Sequence, residues 1–171
     1  MESDFMRRVG ILTLILAVSI LACPMTVSAF PQTAEEMSRA DFWAMLLLVR
    51  GDILDNELAK VRDAMFDAGP HDMQSVIDET GKAMESLAEP TSYQLAEEDY
   101  PVGERERYQA LLDRAKEEYR RAALMIQVLA RTINDDTDFL VQVTLHELAQ
   151  VHLDNAAFAL WTLGEAQGGD R

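Results

Sequence analysis

Cysteine occurs once in these 171 residues, aromatic side chains make up only 7%, and glycine and proline number just 8 and 5. Set beside 49% hydrophobic and 26% charged residues, that scarcity excludes a disordered, fibrous or multidomain chain and describes one compact helix-rich domain. Basic side chains are also few. Lysine and arginine total 15 against 30 aspartates and glutamates, a formal charge of −15 with an isoelectric point near 4.4. A surface that acidic repels phosphate backbones and anionic lipid headgroups, so nucleic acid is excluded as a partner. The acidity first means a well-solvated surface, and second a cationic partner or divalent cations.

A long hydrophobic run is missing too. The apolar stretch Val9 to Ala22 falls short of the roughly 20 residues that span a bilayer. It follows Arg7 and Arg8 and precedes Cys23-Pro24-Met25-Thr26-Val27-Ser28-Ala29, the three zones of a secretory signal peptide. Cleavage after Ala29 is the expected processing, because Pro24 breaks the helix of the apolar zone just ahead of Val27-Ser28-Ala29. Ile20-Leu21-Ala22-Cys23 forms a competing bacterial lipobox, in which Cys23 would be lipidated and become the first residue. The expected domains are thus a signal peptide, 1–29, and a helical domain, 30–171, that is periplasmic or secreted, with a lipid-anchored envelope protein as the alternative. Membrane attachment arises only if Cys23 is lipidated or the leader retained. Without Cys23 the domain has no disulfide, thiol nucleophile, zinc-cysteine site or cysteine-held haem.

Helical periodicity organises the rest. Thr33-Ala34-Glu35-Glu36 reads as a capping box that opens a helix over about 33–68. Its apolar seam is Met37, Ala40, Ala44, Leu47/Leu48, Gly51, Leu54, Leu58, Val61 and Met65, stopped by Gly69-Pro70. Asp72 caps a short second helix, about 72–89, closed by Pro90. Residues 90–103 hold two prolines and read as a linker with Tyr93, Leu95, Tyr100 and Val102 as its larger apolar groups. A third helix covers about 104–133 and a fourth about 138–164. The expected fold is all-α, an up-down-up-down four-helix bundle, since no stretch alternates with the period of a strand.

Little chemistry is visible. Aspartates at 135, 136 and 138 lack the glycine and distal glutamate of a calcium loop, so they read as helix caps. His146-Glu147-Leu148-Ala149-Gln150 misses the HExxH zinc pattern at Gln150, and His152 lies about 120° round the helix from His146. Neither histidine has a glutamate three residues before it, as carboxylate-bridged di-iron bundles require. His71 follows Pro70 at a turn and reads as solvated. His152 falls among Leu145, Leu148, Ala156, Ala159 and Leu163 on the face expected to be buried, where it needs a hydrogen-bond partner. His146 falls with Gln142, Gln150 and Asp154 on the polar side. The layout resembles the b-type cytochrome bundles in architecture and in two residue types. That resemblance implies haem b held by His152 and a methionine of the first helix, but Met45 faces away from the seam and Met37 misses the level of His152.

One feature departs from bundle patterning. Phe42 to Val49 and Ala156 to Trp161 are apolar on every side of their helices, and antiparallel packing brings both to one end. The short second helix falls short there, so the linker either completes the core or leaves an apolar groove lined by Phe42, Trp43, Leu46, Phe158 and Trp161. The function expected is non-enzymatic binding at the bacterial cell envelope, to a protein partner or as a homodimer, without a cofactor. A haem or metal carrier using His152 is the alternative, and an envelope enzyme the third.

Overall fold

A computed structural model describes residues 39–67, 71–89, 93–95, 104–133 and 137–168. The leader, Cys23, Phe30, Met37 and the capping box at Thr33 lie outside the described residues, as do Gly69-Pro70, Pro90, Tyr100, Val102 and Asn134 to Asp136. The described residues form four helices, α1 (Arg39–Met65), α2 (Gln74–Ala88), α3 (Arg105–Thr132) and α4 (Phe139–Gly168), and no strand occurs among them. This is an all-α arrangement compatible with a four-helix bundle.

Local chemistry sets the ends. The Asp72 carboxylate accepts the Gln74 N–H at 3.0 Å, and helical bonding begins at the Met73 carbonyl. Asp138 opens α4: its carboxylate accepts the Leu140 N–H at 2.8 Å, satisfying an orphan donor of the first turn. The fourth helix runs past Gly164 to Gly168 instead of stopping near 164. Gly164 has nothing within 4 Å of where a side chain would stand. A glycine inside a helix costs only about 1 kcal/mol, too little to end one by itself.

Antiparallel neighbours are tied at both ends. Gln142 donates to the Thr132 carbonyl and His152 pairs with Glu118, joining α4 to α3. Gln127 donates to the Ile77 carbonyl and Lys116 to the Glu89 carbonyl, joining α3 to the α2 segment. Phe66 and Phe139 meet edge to face at 5.7 Å, where the chain leaves α1 and enters α4. The helices do not sit on a square. α3 packs against all three others, whereas α2 and α4 make no more than marginal contact.

The reason lies at Gly51. The Tyr119 ring occupies the space beside its backbone, so that a methyl group there would meet Cζ at 2.7 Å. With Ala115, Ala122 and Ala123 also buried on α3, small residues let α1 and α3 approach across the diagonal. Leu47, Leu54, Leu58 and Val61 of α1, Val76, Ala83 and Leu87 of α2, Leu112, Ile126 and Leu129 of α3, and Ala149, Ala156 and Leu163 of α4 fill the core.

Two expected faces differ. Leu148 is 44% exposed, and Ala149 takes its place in the core. Gln142 is buried and His146 half-buried instead of lying on a polar side. α4 is wedged between α3 and α1, so its covered arc is wider than a single seam and is rotated toward Ala149, Leu153 and Leu160.

Candidate functional site

At the end where α2 stops, three residues of the linker close the core. Tyr93 and Leu95 are both buried. Gln109 of α3 clamps them, its Oε1 accepting the Leu95 N–H at 2.9 Å and its Nε2 donating to the Tyr93 carbonyl at 3.0 Å. Tyr93 adopts φ of 65°, a left-handed conformation that is strained for an aromatic residue. Its ring is held between Trp43, 5.2 Å away, and the Lys116 ammonium at 5.6 Å. Trp43 in turn donates Nε1–H to the Gln94 carbonyl at 3.2 Å.

Trp43 is therefore half-buried under this strap, and Leu46 packs against the core. Phe42 stays 42% exposed beside Trp43, with ring centroids 5.1 Å apart. Phe158 and Trp161 form a second aromatic pair at 5.7 Å, each 57% exposed. No ring contact joins the two pairs. Of the five residues expected to line one groove, Trp43 and Leu46 are engaged by the protein itself, while Phe158 and Trp161 face outward.

Two further exposed apolar residues join the outward pair: Leu48, expected on the core seam, and Met45, expected to face away from it. Met45 and Leu48 stand one turn apart on α1 and are 43% and 48% exposed. The Phe66–Phe139 contact sets the antiparallel register of α1 and α4, and it brings Phe158 and Trp161 to the level of residues 44–47. Spacing of i, i+3 makes one short exposed apolar ridge on α1 and another on α4 at the same level of these two packed helices. The all-round apolar character of both stretches was the legible signal; which flank remained open was not. Asp52, Asp154 and Glu165 are exposed on the turns next to these ridges, and α4 contains no lysine or arginine.

The histidines separate. His152 Nδ1 lies 2.6 Å from Glu118 Oε2, with both side chains largely covered, at 22% and 13% exposure. That distance and geometry suit an Nδ1–H donating to the carboxylate. Arg121 also reaches Glu118, at 3.5 Å. His146 lies on the α1 side of α4; burial lowers its pKa first, Arg62 adds to the depression, and Glu147 and Asp55 oppose it. His71 approaches the Asp67 carbonyl at 3.4 Å.

The residues do not fit the haem arrangement. The register brings His152 to the level of Gly51 to Ile53 on α1, and Met45 stands about seven residues, roughly 10 Å, away along the helix. No group of three or more His, Cys, Asp or Glu side chains is placed to hold a metal ion among the described residues.

Two acidic residues were missed. Glu118 was hidden within the charged face of α3. Glu57 is 5% exposed, with Oε1 accepting from Lys60 at 2.6 Å and Oε2 buried without a hydrogen bond. Its position one residue before Leu58, at the edge of the apolar seam, is the only sequence sign of that burial. Compared with protein-family models, curated proteins and solved structures, the chain matches none.

Proposed function

We propose that this is an exported, non-enzymatic helical-bundle protein of the bacterial cell envelope that acts by binding, with the apolar ridges of the α1–α4 seam as its contact surface for a protein partner or a second copy. The observation that carries this is the outward pair Phe158 and Trp161, each more than half exposed at the same level as exposed Met45 and Leu48. Water-facing aromatic pairs in a chain with only 7% aromatic residues are costly unless something covers them. The three-zone leader supports export, with Ala29 as the processing site and lipidated Cys23 as the alternative; no described helix is long and apolar enough to cross a membrane.

An environment-sensitive apolar dye tests the surface. Wild-type protein is expected to bind it with native helical content, and Phe158→Asp to abolish binding while leaving the far-ultraviolet circular dichroism unchanged. A wild-type protein that binds no dye and stays monomeric at every concentration overturns the proposal. The mass of protein recovered from its native compartment tests export: a chain beginning at Phe30 or a lipidated chain beginning at Cys23 supports it, and a full-length cytosolic chain refutes it.

A further inference from the structure

The α1–α4 seam has a chemistry as well as a shape. On the reading that its apolar ridges are a contact surface, we infer that the partner is a cationic amphipathic helix, lying along the seam with its apolar stripe between Met45/Leu48 and Phe158/Trp161 and its lysines or arginines over the carboxylates alongside.

Shape supports a helix. Each ridge offers two exposed side chains one turn apart, the spacing that the i, i+3, i+4, i+7 stripe of a third helix meets, and the two ridges stand at one level of the packed α1 and α4 helices. α4 has the complementary need: Leu140, Val151 and Phe158 are 70%, 51% and 57% exposed on its outer side.

Charge selects the kind of helix. Asp52, Asp154 and Glu165 are exposed on the turns next to the ridges, and α4 carries no lysine or arginine across its thirty residues. A second copy would bring the same acids, and another net charge of −15, against them. Like charges placed opposite one another at an interface oppose association, whereas a basic rim is steered in and paired. An anionic bilayer is repelled for the same reason. Side chains 43–57% exposed suit a broad partner better than a small ligand, which needs most of its surface buried.

Synthetic peptides test this on the intact chain. The probes are a fluorescein-labelled leucine–lysine peptide with leucines at helical spacing, a scrambled peptide of the same composition, and a leucine–glutamate peptide with the leucines at helical spacing. The patterned leucine–lysine peptide is expected to bind at least about tenfold more tightly than the scramble, and the acidic peptide not at all. Met45→Asp and Phe158→Asp should each weaken binding by about tenfold or more. Leu124→Asp makes the same kind of change at an exposed leucine on the outer face of α3 and should leave binding unaltered. Equal binding of the scramble, or equal weakening by Leu124→Asp, reduces the effect to charge alone and overturns the inference. Equal binding of the acidic peptide overturns it too, as does a monomer–dimer equilibrium in sedimentation that Phe158→Asp abolishes. If the apolar dye binds in a Phe158-dependent way while no patterned cationic peptide does, the contact surface stands and only the partner's chemistry is wrong.

Discussion

Tyr119 fills the space beside Gly51, its Cζ 2.7 Å from where a β-carbon of residue 51 would stand. That contact brings α1 and α3 together across the diagonal of the bundle, and it depends on a missing side chain. Burial raises the pKa of the Tyr119 phenol, and Asp52 and Asp55 add to the effect, so the ring stays neutral throughout the physiological range.

Gly51→Ala is expected to destabilise the protein. Alanine gains about 0.5 to 1 kcal/mol of helix propensity, but moving a packed ring costs about 1 to 3 kcal/mol. The net loss should be about 1 to 2 kcal/mol by urea denaturation. Tyr119→Leu in the same chain should recover part of it, and additive losses in the double-mutant cycle would deny the contact.

The linker strap makes a second prediction. Gln109→Leu removes the partners of the Leu95 N–H and the Tyr93 carbonyl and should cost about 1 to 3 kcal/mol. With Trp161 replaced by phenylalanine, Trp43 is the sole reporter, and its emission should move to longer wavelength when the strap loosens. Trp43→Ala should cost about 2 kcal/mol, less than at a fully buried site because one side of the indole is open. Unchanged Trp43 emission in Gln109→Leu would show that the strap does not depend on its clamp.

His146 gives a pH dependence. Its pKa is lowered in the folded state, chiefly by burial, so the unfolded chain binds a proton more readily. Stability from this group is therefore whole above the unfolded value near 6.5, falls as the pH drops below it, and levels off below the folded pKa. Denaturation midpoints measured between pH 7 and 5 should decline less in His146→Gln than in the wild type. A parallel decline in both would show that His146 contributes nothing.

His152 is predicted to be structural. His152→Ala leaves Glu118 largely covered without its imidazole and should cost about 1 to 3 kcal/mol. Haem added to the wild type is expected to give no absorption band that His152→Ala removes. Such a band would restore the carrier function.

The sequence by itself determined four helices and, among the described residues, most of their ends, because those depend on neighbours along the chain. Apolar residues at steps of three and four, Asp72 and Asp138 at helix starts, and the short connections can all be read without knowing where another helix lies. It also marked both all-round apolar stretches. Only the tertiary structure decided which flank of each is covered. A helical wheel phases a helix against itself, but burial depends on the direction from which other helices approach. α3 approaches α1 closely because Gly51 has no side chain, and α4 is covered on two sides. Ala149 is consequently inside while Leu148 is outside, Glu57 is buried on an otherwise ordinary charged turn, and Trp43 is claimed by a strap from fifty residues away while Trp161 is left facing water.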